Sequence, residues 1–567
     1  MMSRVIVAGS GGAGLAAAVE AADTGADVIV VTKALYRDSE YRWRSHGGCT
    51  WKTHAFNAAV SPDDRIADHV RDTIAGGAGA NDVALVETLC QGAVELVPWL
   101  EGLGVPFEKD ADGRFVTRPF GGCGRPRAVH LGDRLGFHIQ SALTRRLFEH
   151  VATGRVAVLT GLRATELLSD DSGKVEGLVV VSVDTLQTHR VRGDAVVLAD
   201  GGGASMYLPS AASADKTCDG IALGLRAGAE VVDMEFVQFH PTGIVSGVPP
   251  FDGSLVEEAL RFDGATLRNH AGERFMFQYD VRGEMATRDI VSRGIFREML
   301  RGAAFGEQGV DLDVSACRGI IHERYPAMDE RVSQAGYDLA RTPVLRVRPT
   351  AHFLMGGLRI GAEGATTING LFAAGETAGG VHGANRLGGN GLAEALVFGR
   401  VAGASAARYV DTHGRRYGSY PIEAVQPLSV RSCPTGEFPS VVIHELGRRM
   451  YRNAGPVRTE SGLRNMLDAI ARFERRCDRL KFSTGARAAK QVEEYLDLRN
   501  LLLVSRVIVE AALLRRESRG AHYRDDFTET SPEYEGLAVT LKRGNLSWTQ
   551  FSRAPEKASC AMLESIP

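Results

Sequence analysis

Val5-Ile6-Val7-Ala8-Gly9-Ser10-Gly11-Gly12-Ala13-Gly14, continued by the alanine-rich run Leu15 to Ala22, decides the fold. Four apolar, β-prone residues read as a buried strand, the glycines as a tight turn and the alanines as a helix. Asp27 to Val31 then reads as a second strand. Strand, glycine turn, helix and strand form the first unit of a doubly wound parallel sheet. The spacing is G-x-G-x-x-G. Gly9 permits the turn, Gly11 admits the close approach of a pyrophosphate, and Gly14 lets the helix pack on the sheet with its first amides facing the anion. Ser10, Gly12 and Ala13 fill the turn without bulk. The alternative is a glycine-rich turn that holds no ligand. Thr32-Lys33 stands where a nicotinamide dinucleotide's ribose asks for an acidic residue, so simple NAD binding is disfavoured.

Further along, Ala195-Val196-Val197-Leu198 reads as another buried strand, ending in Gly201-Gly202-Gly203, and Gly370 to Gly403 again looks like strand, loop and helix. The nucleotide-binding domain is therefore expected in two pieces, 1–235 and 346–435, around an inserted unit at 236–345. In 461–480, Leu463, Met466, Leu467, Ile470, Phe473, Cys477 and Leu480 recur at helical spacing, and 491–514 continues with Leu496, Leu498, Leu502 and Ile508. Residues 440–567 are read as a helical domain followed by a polar tail. The expected architecture is α/β: a doubly wound Rossmann-like domain, an inserted α+β capping domain and a C-terminal helical domain.

With 567 residues the chain needs several cores, and 44% hydrophobic with 24% charged residues is ordinary for a folded protein. A formal charge of −3 gives no reason to expect nucleic acid or an anionic membrane as partner. Arg448, Arg449, Arg452, Arg458, Arg464, Arg472, Arg475, Arg476 and Arg479 make one late region basic; it reads as a solvated helical face or as a docking surface for an acidic partner. Eight cysteines without a C-x-x-C pair argue against an iron–sulfur or zinc site and against a disulfide framework. No apolar run of about 18 residues marks a membrane span, and no secretory signal opens the chain. A cytoplasmic location is expected.

Seven blocks, in order and spread over nearly the whole chain, resemble the family of succinate dehydrogenase, fumarate reductase and L-aspartate oxidase flavoproteins. They are Arg118–Gly122, Asp233–Gly243, Thr287–Arg293, Arg348–Gly357, Gly370–Thr377, His382–Asn390 and Arg516–His522. The resemblance implies FAD over the first glycine turn, with Lys33 and the backbone near Ala164 beside the adenosine half, and Asp219, Glu376, Asn390 and Leu392 holding the rest. For Asp219 and Glu376 the plainer alternative is a helix cap after a glycine turn. Respiratory members carry FAD covalently on the histidine of an Arg-Ser-His triplet, and Arg44-Ser45-His46 matches it, with Ser45 and Gly48 near the flavin. The continuation Gly47 to Lys52 departs from the family, and an extra stretch, Tyr36 to Trp43, precedes the triplet. His46 is thus either the attachment point or a loop residue beside the flavin.

Hydride exchange with a flavin needs the substrate carbon held at the ring while a proton moves at the neighbouring carbon. By the resemblance, His240 with Thr242 holds one carboxylate of the substrate and His352 with Arg386 the other. Arg288 matches the proton-donating arginine, and Glu258 with Arg261 the relay that reprotonates it; the alternative is a buried ion-pair network of the same three residues. Arginine is normally fixed in its charged form, so it acts as an acid only within such a relay. Two departures bear on specificity. Glu257 replaces the family's Thr or Ser, where its charge would repel a carboxylate unless turned away, and Phe262 replaces glycine after Arg261. Against L-aspartate oxidase, Phe120 stands where that branch carries glutamate. The activity implied is reduction or desaturation of a carbon–carbon bond next to a carboxylate. The rivals are an L-aspartate-oxidase-like amino-acid oxidase, and an electron-transfer subunit working beside an iron–sulfur partner. The partners expected are a small carboxylate substrate and a redox partner protein.

Overall fold

A computed structural model describes residues 4–34, 36–37, 42–43, 50–213, 215–249, 251–302, 309–413, 422–542 and 544–551. Its centre is a five-stranded parallel sheet in the order Leu371–Ala373, Ala195–Leu198, Arg4–Ala8, Asp27–Thr32, Val156–Thr160. The inner strands are buried along almost their whole length, as apolar runs covered on both faces must be. Gly9 is the reason the first turn closes: its φ is +107°, and a Cβ there would lie 2.3 Å from the Ala199 carbonyl oxygen. A Cβ on Gly14 would sit 2.2 Å from the Gly9 carbonyl oxygen, so the helix Gly12–Asp23 reaches the sheet only because that position is bare.

The long helix Asn390–His413 packs along Gly12–Asp23, and Val83–Gly102 packs against Asn390–His413 in turn. Among the described residues Val83–Gly102 is the one helix long and apolar enough to cross a membrane, a candidate the sequence reading did not single out. Here its Leu85, Leu89, Ala93, Leu96 and Leu100 stripe is sealed in the core.

The inserted unit has its own core. Val237–Ile244, Val344–Leu354, Val310–Asp313 and Thr266–Arg268 form an antiparallel sheet, whose apolar face packs on Arg288–Arg301 and Pro326–Gln334 through Ile244, Leu267, Val291, Ile295, Met328 and Leu345. The segment's two ends, Val237–Ile244 and Val344–Leu354, pair with each other, so the unit leaves and re-enters the main domain side by side.

The C-terminal helices are Pro439–Asn453, Glu460–Cys477 and Ala486–Leu514, with Leu463, Met466, Ile470 and Phe473 buried at the expected spacing. The stretch read as a polar tail instead contains a hairpin, Leu537–Lys542 with Asn545–Gln550. Ala538, Val539, Thr540 and Leu541 are buried because the hairpin adds to Val231–Val232 of the main domain. The late block Arg516–His522 serves this junction. With the neighbouring Arg515, it puts charged groups in a closed set of bonds: Arg515 Nε donates to Glu235 (2.6 Å), its Nη1 to Glu517 (2.7 Å), and Arg519 Nε to Glu517 (2.8 Å).

Candidate active site

One cavity of about 580 Å³ runs from the glycine turn to the seam with the capping unit. Gly9, Ser10, Gly11, Gly12 and Ala13 form one end of its wall, with Lys33, Ala164 and Asp219 beside them; Leu392 and Glu376 follow, then His352, Arg386, His240, Glu257, Glu258 and Arg288. Residues from strands, helix starts and both domains, scattered over nearly 400 positions of sequence, are thus brought to one surface. Four of the expected residues stand behind that wall. Gly14 packs the helix, Thr242 bonds the Val256 carbonyl (3.3 Å), Arg261 backs Glu258, and Asn390 is a fully buried hub. Asn390 Nδ2 donates to Thr73 (3.0 Å), while its Oδ1 accepts from Asn57 (2.8 Å) and lies 3.0 Å from His69 Nε2, so the side chain holds the turn that carries Gly389 and Gly391. Ser45, His46 and Gly48 lie outside the described residues.

The nucleotide end is strongly charged. Lys33 Nζ lies 2.9 Å from Asp219, and Arg163 Nη2 (2.5 Å) and Asn500 (2.7 Å) donate to the same carboxylate. Against the upward push of burial, Arg163 and Lys33 hold Asp219 well below the usual carboxylate range. Glu376 pairs with Lys216 and accepts from the Leu354 amide (3.0 Å). Lys216 is a cavity-lining cation that no motif signalled.

At the far end Glu258 accepts from Arg288 Nε (2.8 Å) and Nη2 (2.5 Å) through one oxygen and from Arg261 Nη2 (2.8 Å) through the other. Burial opposes its ionisation, but Arg288 and Arg261 bring it down to about 2, so it is a carboxylate at any working pH. Gln238, inside a quoted block but given no role there, joins the two sides. Its Oε1 accepts from Arg288 Nη1 (3.2 Å) and Arg386 Nη2 (2.9 Å), and its Nε2 donates to Asn385 (3.1 Å) and to the Arg386 carbonyl (2.7 Å). Arg386 also lies over the Phe353 ring at 4.5 Å. Burial and the Arg288 charge bring its pKa down to about 9, which leaves it cationic at neutral pH. His240 and His352 face each other edge to face, 5.6 Å between centroids. Burial first, then the surrounding arginines, pushes both well below 6.5, so they work as neutral imidazoles.

Glu257 lines the cavity and its carboxylate contacts His54 Nδ1. Burial and the Arg331 and Arg118 charges bring His54 down to about 3, so its imidazole is neutral at neutral pH.

The chain's match to known sequences now places it. An FAD binding domain model covers residues 4–392, and a model of the fumarate reductase flavoprotein C-terminal region covers 443–562. The chain belongs to the fumarate reductase and succinate dehydrogenase flavoprotein family. The corresponding polypeptide of the CoM/CoB fumarate reductase of Methanothermobacter marburgensis is 38% identical over 541 residues, 95% of this chain and 97% of that protein. L-aspartate oxidase of Caulobacter vibrioides is 36% identical over 542 residues, 94% of this chain and 96% of that one. Among solved structures, Mycobacterium smegmatis Sdh1 in complex with UQ1 superposes with a TM-score of 0.83 at 33% identity, covering 100% of this chain and 97% of that chain. The protein is accordingly an FAD-dependent oxidoreductase of the fumarate reductase family, acting on CH–CH groups.

The cavity fits the cofactor of this flavoprotein. The glycine turn is a cradle that a Cβ would fill, a helix start faces it, and it opens into the same cavity as Lys33, Asp219 and Glu376. Among the described residues no cluster of side chains could hold a metal ion.

Proposed function

We propose that this flavoprotein reduces, or in the reverse direction desaturates, a carbon–carbon bond flanked by carboxylates. The observation that carries the reading is the position of Arg288: it lines the same cavity as the two imidazoles, and it is bonded to Glu258, which is bonded in turn to Arg261. FAD, held by the glycine turn, Lys33, Asp219, Glu376 and Leu392, supplies the hydride chemistry when bound.

The residues of the chain do the rest. Arg386 and His352 grip one carboxylate. His240, whose Nδ1 lies 3.4 Å from the Thr242 amide and hydroxyl, presents its ring to the other. Because the imidazoles are neutral, the positive charge that orients the substrate comes from Arg386 and Arg288, one on each side of Gln238. Arg288 gives a proton to the substrate carbon, and the anionic Glu258 passes it a replacement from Arg261. Without that neighbour a guanidinium would be a poor acid.

The amino-acid oxidase reading has one observation in its favour, the Glu257 carboxylate in the cavity wall, which suits an ammonium group. Relatives named as subunits suggest that electrons pass to or from a partner protein. The test is anaerobic. Dithionite-reduced protein mixed with fumarate should be reoxidised and yield succinate, and Arg288→Ala should bind FAD yet fail to react. Release of hydrogen peroxide and ammonia from L-aspartate, with fumarate inert, would replace this reading by its rival.

A further inference from the structure

The cavity does not end at the dicarboxylate clamps. Its lining also takes in the cap helix Pro326–Gln334 and the main-domain segment around Asp133 and Phe137. Ala327 and Arg331, one helical turn apart, face it together. Asp133 fixes that helix from the main domain: its Oδ2 accepts from the Ala327 (2.9 Å) and Met328 (3.1 Å) amides.

Arg331 is placed unusually for a desolvated cation. Its Nη2 donates to the Leu255 carbonyl (3.1 Å), and its Nε is buried without a hydrogen-bond partner. Among the described residues it forms no ion pair: Asp133 acts on it only through its charge, with Oδ2 spent on the helix amides, and Glu257 contacts His54. A guanidinium so enclosed asks for an anion from outside the protein. Yet a plain anion there would also meet the Glu257 carboxylate. The Glu257 amide lies against Met328 Sδ (3.4 Å), one helical turn from Arg331. The wall therefore presents one negative and one positive group that form no ion pair with each other.

We propose that Glu257 and Arg331 form a split-charge subsite for the far end of the substrate, and that this end carries an amine and a carboxylate on one carbon. The ammonium docks on Glu257, whose outer face is held by His54, and the carboxylate docks on Arg331. The reacting bond remains at the His240, His352 and Arg288 end. The substrate class is an α-amino acid whose side chain ends in a carboxylate held by Arg386 and His352 and is long enough to reach both ends; its α-carboxylate on Arg331 takes the place of the second carboxylate that His240 faces in a shorter dicarboxylate. The inference rests on the reading of the site as a carboxylate site and specifies its outer half.

The test uses FAD-loaded protein and the shift in flavin absorbance on ligand binding. Succinate, glutarate and adipate are titrated against L-aspartate, L-glutamate and L-2-aminoadipate. Wild type should bind at least one amino form tenfold or more tighter than its amine-free counterpart. Arg331→Gln should bring that ratio close to one, Arg331→Lys should keep part of it, and Glu257→Gln should abolish it by improving the amine-free ligands. No preference in wild type, with fumarate still reoxidising reduced flavin, would overturn this inference alone. If no carboxylate perturbs the flavin and fumarate is inert, the carboxylate reading of the whole site falls with it.

Discussion

Replacing Glu258 by glutamine tests the relay at its centre. The amide keeps the carboxylate's shape but has one acceptor oxygen, whereas Glu258 takes three N–H bonds on two oxygens from Arg288 and Arg261. Whichever way the amide turns, its NH2 faces a guanidinium donor, and two buried cations lose their shared counter-charge. At an effective dielectric near 20, opposite charges ~4 Å apart attract by about 4 kcal/mol, and part of this is returned because Glu258 no longer has to be desolvated. The proton step should suffer more selectively. Loss of a positioned proton carrier lowers rates by roughly 10² to 10⁴, or about 3 to 5 kcal/mol of barrier. The assay is single-turnover reoxidation of reduced flavin by fumarate in a stopped-flow instrument, with FAD content and fumarate KM measured in parallel. The expected result is a rate reduced at least a hundredfold with FAD retained and KM little changed. A rate within tenfold of wild type would refute the relay and leave Glu258 as a structural brace for Arg288.

Gln238→Leu should strip an acceptor from both Arg288 and Arg386; each buried donor left unpaired costs about 1.5–3 kcal/mol, so the urea midpoint should fall and fumarate KM should rise. Glu257→Thr should raise kcat/KM for fumarate tenfold or more, since two like charges ~4 Å apart cost about 4 kcal/mol at the same dielectric; unchanged turnover would mean that the carboxylate never meets the substrate. The protein should also be acid-labile before its carboxylates titrate. Burial brings His69 to about 4 and holds His240, His352, His382 and His522 below 6.5, so the unfolded chain takes up protons that the folded one refuses. Stability is fully present above about pH 6.5 and declines as pH falls toward the folded values, by about 2 kcal/mol for His69 alone at pH 5. A denaturation midpoint that is flat from pH 7 to 5 would contradict this.

The parallel domain was legible because its signals are local: an apolar strand, glycines at fixed spacing and a small-residue helix lie consecutively in Val5 to Ala22. The residues proposed as clamps and relay could be gathered only through the order of their blocks, since His240, Glu258, Arg288, His352 and Arg386 carry no shared periodicity and come together only in the folded cavity. Gln238 escaped notice because an amide within a strand looks ordinary until its neighbours across space are two arginines. His54 and Arg331 come from different domains, and only the fold sets them in one cavity with Glu257, which contacts His54. The hairpin was misread as tail because Leu537–Lys542 alternates weakly and its buried face is supplied by strands far earlier in the chain.

That hairpin has a bearing on how the protein is made. Val231 pairs with Leu541 and Val232 with Thr540, so the strand leading into the cap waits for residues far later in the chain. Contacts of such sequence separation form late and slowly, because the loop between them must be closed before the pairing rewards it. Until then the edge beside Val231–Val232 stays open, and Glu235, a few residues on, lacks its Arg515 counter-ion. The growing chain thus holds its nucleotide-binding strands well before it can seal the junction that leads to His240.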